Sequence, residues 1–277
     1  MRLLLAFAAL LTLAACASEE AAVEAPAAEG WRLVWADEFD ADGLPDPARW
    51  RYDVGGHGWG NDELQYYTEA RMANARVEDG HLVIEARREP YEGRAYTSAR
   101  LVTKGVGDWT YGRFEARAML PSGRGTWPAI WMLASQDVYG DQYWPDNGEI
   151  DIMEHVGFDP DVVHSTVHTR AYHHSIGTHV GARTTVPGAR TGFHVYAVEW
   201  TPEAIHGLVD GRRYFTFPNE RLTDPGAGWR EWPFDRPFHL LLNIAVGGTW
   251  GGQQGVDSTA FPQRMVVDYV RVYQRAP

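Results

Sequence analysis

The sequence predicts an all-β sandwich, and three observations lead to that fold class. Short runs of alternating apolar and polar residues recur along the chain, each bounded by Gly, Pro, Asn or Asp. Helical periodicity is nearly absent. The 277 residues include 29 glycines and 16 prolines, as expected for a chain with many tight turns. Many short strands joined by turns favour two packed β-sheets over any helical architecture.

The strands follow from the alternation and from the turn residues between them. Asp79-Gly80 is typical of a two-residue hairpin turn and leads into the first run, HLVIEAR. A further extended segment, TWPAIWML, precedes the fourth run. Two polar stretches without a strand period, 134–147 and 170–192, are expected to be loops. In chain order the expected strands are 81–87, 99–103, 112–119, 149–155, 164–168, 193–200, 205–209, 238–244 and 266–272.

The N-terminus predicts export. In residues 1–15 a basic Arg2 precedes an apolar run that is shorter than the roughly 20 residues of a membrane span. Leu13-Ala14-Ala15-Cys16 has the form of a lipobox, and Cys16 is the only cysteine. We therefore expect cleavage before Cys16, lipid attachment to it and, with Ala17 next, an outer-membrane-anchored lipoprotein. The alternative is a plain cleaved signal with a cysteine near the cut.

The rest of the chain predicts one domain behind a tether. Residues 16–30 are small and acidic, as in a flexible tether, and 31–277 are long enough for one large core. The formal charge of −12 becomes −13 when residues 1–15 are removed, since they carry only Arg2. This acidity disfavours nucleic acid and sulfated polysaccharides as partners, because both need Lys or Arg. We expect a monomer that contacts membrane only through its lipid.

Three carboxylates lie close together in GEIDIMEH: Glu149, Asp151 and Glu154. On a plain strand Glu149 and Asp151 share a face, whereas Glu154 points the other way. One extra residue in a β-bulge, Met153, restores the phase and brings all three acids to one face. Retaining glycoside hydrolysis needs one ionised and one protonated carboxyl so placed. The alternative is a solvated acidic edge strand.

Aromatic residues favour a carbohydrate cleft. The 12 Trp and 13 Tyr exceed the usual needs of a core this size. Aromatic faces beside hydrogen-bonding side chains suit pyranose rings. Trp127 and Trp131 share one face of their extended segment and line either the groove floor or the core. The tryptophans in polar or glycine-rich surroundings are Trp59, Trp109, Trp144 and Trp250.

At this point the sequence resembles glycoside hydrolase family 16, in its bacterial laminarinase-like branch. The resemblance runs from NDELQYYT at 61–68 through GTWPAIWML and GEIDIMEHVG to NIAVGGTWGGQQGVDSTAFPQRMVVDYVRVYQ at 243–274. It implies a β-jelly-roll of two stacked antiparallel sheets with a concave substrate cleft. It also implies retaining endo-hydrolysis of a neutral β-1,3-glucan by double displacement, with no catalytic cofactor. The bulged acidic motif is typical of laminarinases, agarases and carrageenases, whereas lichenases lack the bulge.

The resemblance also implies roles for particular residues. Glu149 is the expected nucleophile, Glu154 the general acid/base, protonated in the free enzyme, and Asp151 the group that orients the nucleophile. His168 is expected to bond substrate, His164 is left open, and His155 is expected to face the other layer. The expected glucan-binding residues are Asn61, Glu63, Arg100, Trp127, Trp131, His168 and Trp250, with Glu63 as an alternative orienting residue.

A structural calcium ion is a further possibility that the resemblance implies. The matching positions are Glu38, Gly80 through its carbonyl, and Asp268. Oxygen ligands suit calcium. The alternative is that these acids are ordinary surface residues.

Three other functions are open on the sequence. Two are cleavage of mixed-linkage β-1,3-1,4-glucan and of a galactan such as agarose. The third is non-catalytic glycan display by a lipoprotein, which the presence of all three acids disfavours.

Overall fold

A computed structural model describes residues 30–275 and is built almost entirely of strands. The expectations for the signal, for Cys16 and for the tether fall outside these residues, Gly30 excepted. No helix in 30–275 is long and apolar enough to cross a membrane. The strands are β1 Trp31–Asp37, β2 Arg51–Tyr52, β3 Gln65–Tyr67, β4 Ala75–Glu78, β5 His81–Tyr91, β6 Arg94–Ser98, β7 Arg100–Val102, β8 Gly112–Met119, β9 Thr126–Ala134, β10 Glu149–Glu154, β11 Val162–His168, β12 Val180–Thr185, β13 His194–Trp200, β14 Ala204–Val209, β15 Arg212–Pro218, β16 Phe238–Val246 and β17 Gln263–Arg275.

Helical structure in this part of the chain consists of single turns. One turn, α1 Tyr143–Asp146, is interrupted by the extended backbone of Trp144. Two 3₁₀ turns cover His174–Ile176 and Glu220–Leu222. The predicted all-β class is therefore confirmed.

The strands form two sheets, as the sandwich prediction requires. One has ten strands in the order β15-β14-β13-β8-β17-β5-β6-β3, with β1 also on β17 and β4 on β5. The other has seven, in the order β12-β11-β10-β9-β16-β7-β2. Neighbours are antiparallel except β3 and β6. In the hairpin β4–β5, Glu78 pairs with His81, and the positive φ angles of Asp79 and Gly80 confirm the predicted two-residue turn.

Side-chain alternation on the seven-stranded sheet separates the core from the cleft. On β16, Leu240, Leu242 and Ile244 join the main core, whereas Asn243 and Ala245 line a pocket on the other face. The core contains fully buried rings, among them Trp200, Trp232 and Phe238. A rigid, packed layer thus carries the cleft residues.

The second expected loop was partly wrong. Within 170–192, residues Val180–Thr185 form strand β12, an edge strand paired with β11. Its residues alternate between half-buried and exposed, without a buried face. An edge strand of this kind has little apolar signal because only one face and one edge meet the protein. The loop 134–147 is confirmed apart from the turn α1.

Candidate active site

The three acids of β10 lie on the cleft face of the seven-stranded sheet. Glu149 and Glu154 are half-buried, and Asp151 is 2% exposed. The intervening Ile150 and Ile152 belong to the core on the opposite face. Strands β9 and β11 flank β10 on its two sides, so neighbouring backbone fixes the position of each acid.

A β-bulge brings Glu154 into phase with the other two. On β9, Asp151 pairs with Trp131, yet Met153 pairs with the next residue, Ile130. On β11 the register shifts at the same place, because Asp151 pairs with Thr166 and Glu154 with His164. Met153 is fully buried in the core, as Ile152 is. The predicted bulge is confirmed, with two consecutive side chains on the core face.

Gly148 fixes the entry to β10. Its φ of +86° lies in the left-handed region, where side chains other than glycine are strained. A Cβ atom at this position would stand 2.8 Å from Pro233 Cγ. Glycine is therefore required immediately before Glu149 by both backbone angle and space.

Two indole N–H groups hold the two glutamates. Trp127 Nε1 donates to Glu154 Oε1 at 3.0 Å, and Trp144 Nε1 donates to Glu149 Oε2 at 2.5 Å. Asp151 Oδ2 stands 3.3 Å from His168 Nε2. Each acid thus has a different polar neighbour, which separates their electrostatic environments.

The pKa values of all three acids are raised. Burial, followed by repulsion from Asp151, raises the pKa of Glu149 to about 8. Burial also raises the pKa of Glu154 to about 7, and raises the pKa of Asp151, which additionally feels Glu154. Three such carboxyls cannot all be ionised at neutral pH.

The raised pKa of Glu154 agrees with its expected protonation, whereas that of Glu149 differs from the simple expectation of an ionised nucleophile. The reasons are burial of Glu149 and the like-charged Asp151 beside it. A single proton held between these two hydrogen-bonded carboxyls removes that repulsion. Glu149 also accepts from Trp144, which favours its charged form.

The cleft extends to both sides of the acids. One pocket, of about 410 Å³, contains Trp59 and Arg100 together with all three acids. A second, of about 1020 Å³, shares Glu149 and Glu154 and continues past His168 to Trp250. The expected glucan-binding residues therefore line one continuous groove, although their contacts with sugar stay predictions. The lining shared by both pockets is Asn61, Trp127, Glu149 and Glu154.

Trp127 and Trp131 both line the groove and not the core, which were the two alternatives for this face of their strand. Trp127 packs edge-on against Trp250 with ring centroids 5.5 Å apart. Trp131 Nε1 donates to Asn243 Oδ1 at 2.7 Å. The Arg100 guanidinium lies between the rings of Trp131 and Trp59, 4.7 Å from each centroid. This stacking holds all three side chains in place.

Glu63 is the centre of a buried hydrogen-bond network rather than a free cleft group. It is 6% exposed and accepts from Gln65 Nε2 at 2.6 Å and from Tyr67 OH at 3.2 Å. Asn61 Nδ2 lies 3.4 Å from it. Burial raises the pKa of Glu63. These contacts favour the alternative role, in which Glu63 orients Asn61.

Histidines form one wall of the second pocket. His164 stands edge-on to Trp250 with ring centroids 4.9 Å apart, and burial lowers the pKa of His164 to about 4. His174 and His179, which sequence reasoning did not select, lie beside His168 with ring centroids 5.2 and 6.0 Å away.

His155 lies outside this pocket. It is fully buried, and its Nδ1 atom is 2.8 Å from the Val162 carbonyl oxygen.

The sequence reasoning also left out the hydrogen-bonding role of Trp144 and the place of Asn243. From its sequence context Trp144 is only an aromatic residue in polar surroundings. Its bond to Glu149 depends on the loop before β10, which has no periodic pattern. Asn243 is a polar residue inside the apolar strand β16, and that interruption was its available signal.

Both carboxylates of the candidate calcium set are paired with arginine side chains. Glu38 accepts from Arg271 Nε and Nη2 at 2.8 and 2.9 Å. Asp268 bonds Arg117, and His81 stands 3.8 Å from it. Gly80 lies in the hairpin turn. A hard cation would have to displace both arginines, so this arrangement does not fit calcium, and the site stays a prediction.

Comparison with known proteins gives one consistent result. Residues 62–271 match the family described as glycosyl hydrolases family 16. A β-glucanase of Rhodothermus marinus is 72% identical over 244 residues, which are 88% of this chain and 85% of that protein.

Comparison with solved structures gives the same family. The laminarinase of Rhodothermus marinus superposes with a TM-score of 0.89 at 72% identity, covering 89% of this chain and 98% of that one. SCLam, a non-specific endo-β-1,3(4)-glucanase, superposes with a TM-score of 0.84 at 49% identity, covering 90% and 93%. With the two-sheet fold and the acidic strand, these matches establish that the chain belongs to glycoside hydrolase family 16.

Proposed function

We propose that this chain is a retaining endo-β-1,3-glucanase that acts on laminarin-like glucans. The observation that carries the proposal is the pair Glu149 and Glu154 in one groove, each bonded by its own indole N–H. The 72% identity to a laminarinase supports the choice of glucan. The strongly acidic chain agrees with a neutral polymer.

The two glutamates divide the chemistry between them. Glu149, as the carboxylate, attacks the anomeric carbon, while Glu154 gives its proton to the departing glycosidic oxygen. This yields a covalent glycosyl-enzyme and a free reducing-end fragment. Glu154, now ionised, takes a proton from water, whose oxygen attacks the same carbon and releases Glu149. Two inversions at that carbon give net retention.

Asp151 and Trp144 hold the nucleophile for that attack. When Asp151 takes the proton that the two carboxyls share, it donates to the Glu149 carboxylate, to which the Trp144 indole also donates. These bonds fix its rotamer and stabilise its charge in a buried site. Trp127 does the same for Glu154 once that residue has lost its proton.

The open groove suits cleavage within a polymer. Lining residues lie on both sides of the acids, from Trp59 and Arg100 in one pocket to His174 and Trp250 in the other. A chain can therefore extend past the acids in both directions. This geometry favours endo-cleavage over removal of terminal units.

The direct test is incubation of the purified chain with laminarin. We expect new reducing ends, a ladder of oligosaccharides and, by proton NMR at early times, β-anomeric products. Glu149→Gln and Glu154→Gln should each abolish this turnover while they retain oligosaccharide binding. Intact folding without any product would refute the proposal, and α-anomeric products would refute the retaining mechanism.

Glu154→Gln and Glu149→Gln should differ on a substrate with a good leaving group. A dinitrophenyl glucoside needs no protonation, so Glu154→Gln should still release dinitrophenol in a burst and then hydrolyse the glycosyl-enzyme slowly. Glu149→Gln should show no burst, because it lacks the nucleophile. Equal behaviour of the two variants would contradict the assigned roles.

Mixed-linkage glucan is the second candidate substrate. The observation that favours it is the likeness to SCLam, described as a non-specific endo-β-1,3(4)-glucanase. Rates on laminarin, curdlan, lichenan and agarose separate the possibilities. We expect laminarin to be cleaved fastest, lichenan more slowly and agarose not at all.

We further propose that the protein is exported, anchored through lipid on Cys16, and monomeric. The lipobox and the single cysteine support the anchor. Labelling with a palmitate analogue should mark the wild-type protein and not Cys16→Ser, and the variant should leave the membrane fraction. Light scattering of the protein without residues 1–16 gives its molar mass and so tests whether it is a monomer.

A further inference from the structure

The cleft floor contains buried polar atoms that the mechanism does not use. Among residues 30–275, Asp151 Oδ2 and His168 Nδ1 have no hydrogen-bond partner. Asp151 is 2% exposed and His168 6% exposed. A buried carboxylate oxygen without a donor is costly. In the mechanism Asp151 orients Glu149, but its Oδ2 atom lies beside the His168 ring, 3.3 Å from Nε2.

These two residues and Glu149 form a compact set of metal-ligand atoms. One ligand atom from each of Glu149, Asp151 and His168 lies within 4.8 Å of the others. Asp151 Oδ2 and His168 Nε2 are 3.3 Å apart. Two ligands on a tetrahedral zinc ion, with bonds of about 2.0–2.1 Å, stand about 3.3–3.4 Å apart. That pair is already at the required spacing, and the Glu149 oxygen lies within 4.8 Å of both atoms.

We propose that Glu149, Asp151 and His168 bind a divalent transition-metal ion of the zinc class, which inhibits the enzyme. One imidazole and two carboxylates suit such ions, whereas calcium takes six to eight oxygens. The fourth position is left to water. Because no acceptor orients His168 Nδ1, the affinity is lower than that of a structural zinc site.

The inhibitory part of this proposal rests on the proposed function, because it assigns Glu149 as the nucleophile. An ion on Glu149 occupies the electron pair that would attack the anomeric carbon. It also fills the place of the sugar at the cleavage point, so ion and substrate exclude each other. The binding part does not depend on the activity and is tested without substrate.

Binding is measured with Zn²⁺ alone, by calorimetry and by the shift in Tm, on the purified chain after treatment with chelator. We expect one ion per cleft, and the visible absorption of Co²⁺ in its place should report a four-coordinate ion. His168→Gln and Asp151→Asn should each weaken Zn²⁺ binding at least about tenfold. Their Tm without metal shows that they fold.

His174→Gln and His179→Gln are the matched controls, since both rings adjoin His168 but lie outside the ligand set. They should bind Zn²⁺ as the wild type does. Binding that survives His168→Gln, or that is lost in either control, would place the ion on the exposed histidines and overturn the site. In the activity arm, laminarin should relieve Zn²⁺ inhibition competitively. Inhibition that laminarin does not relieve would overturn the inhibitory part alone.

Discussion

An indole N–H donor is one of the groups that set the charge of Glu154. Burial and the repulsion of Glu149 raise the pKa of Glu154 to about 7, whereas His168 and the Trp127 N–H lower it. The acid role requires the protonated form. The pH range of activity is therefore sensitive to an indole that does not itself transfer a proton.

Trp127→Phe should move the alkaline limb of kcat/KM to higher pH. In the wild type, activity on laminarin should fall as pH rises through about 7, because Glu154 loses its proton there. Without the indole N–H the carboxylate form loses a donor, so its pKa rises. Trp250→Phe is the control, since Trp250 packs on Trp127 without contacting Glu154 through a hydrogen bond. A limb that stays in place, or moves to lower pH, would contradict the assignment.

Asp151→Asn should make the protein more resistant to heating at alkaline pH. Burial raises the folded-state pKa of Asp151, so its contribution to stability is complete below its unfolded pKa and is lost as pH rises toward the folded one. Asparagine removes that loss and still offers an N–H to Glu149. At pH 8 we expect Tm to rise by about 2–4 °C, the effect of roughly 1 kcal/mol in a domain of this size. The two proteins should converge near pH 4, and a gain at acid pH alone would exclude this explanation.

Among the elements, β10 shows how one additional residue changes a site without touching substrate. Ile152 and Met153 both enter the core, so the bulge anchors the strand where the acids need it. Deleting Met153 restores plain alternation, which leaves Glu154 on the cleft face but shifts it along the strand. The bond from Trp127 would then no longer be aligned.

The deletion of Met153 should lower kcat/KM on laminarin at least about 100-fold, the lower bound for losing a well-placed general acid. It should also lower stability by about 2–5 kcal/mol, since a fully buried side chain is removed. Met153→Leu keeps the bulge and most of the volume, so its kinetics should stay near wild type. Near-wild-type kinetics of the deletion itself would show that the bulge is not required.

Many elements with an apolar face were predicted from the sequence, although β15, whose Phe215 and Phe217 are buried, was not. GRFEARAM alternates cleanly and forms β8 at the predicted bounds, Gly112–Met119. Strand β12 has no buried face, and β3 is three residues long, so neither has enough signal to stand out. The acids and their bulge could be predicted from the sequence because they all lie within one short strand, Glu149–Glu154. Trp144 reaches Glu149 through a loop whose path depends on tertiary packing, so its contact was not predictable from the sequence.

At the scale of the whole molecule, the chain is acidic and its groove contains little positive charge. The formal charge is −12, and among the described residues that line the two pockets Arg100 is the one Lys or Arg. Arg100 is stacked between two tryptophans and paired with Asp53 at 3.0 Å. Its charge is therefore already compensated.

We predict that sulfated galactans such as carrageenan and keratan sulfate are neither cleaved nor bound. Sulfate groups need uncompensated cations, and repulsion by the acidic chain opposes their approach. Raising the ionic strength screens that repulsion, yet it supplies no partner for a buried sulfate, so cleavage should stay absent in high salt. Reducing-end assays and calorimetry on laminarin and carrageenan, each at low and high salt, test both parts. Cleavage of carrageenan that appears in high salt would show that long-range charge alone excludes it, and cleavage at low salt would refute the prediction entirely.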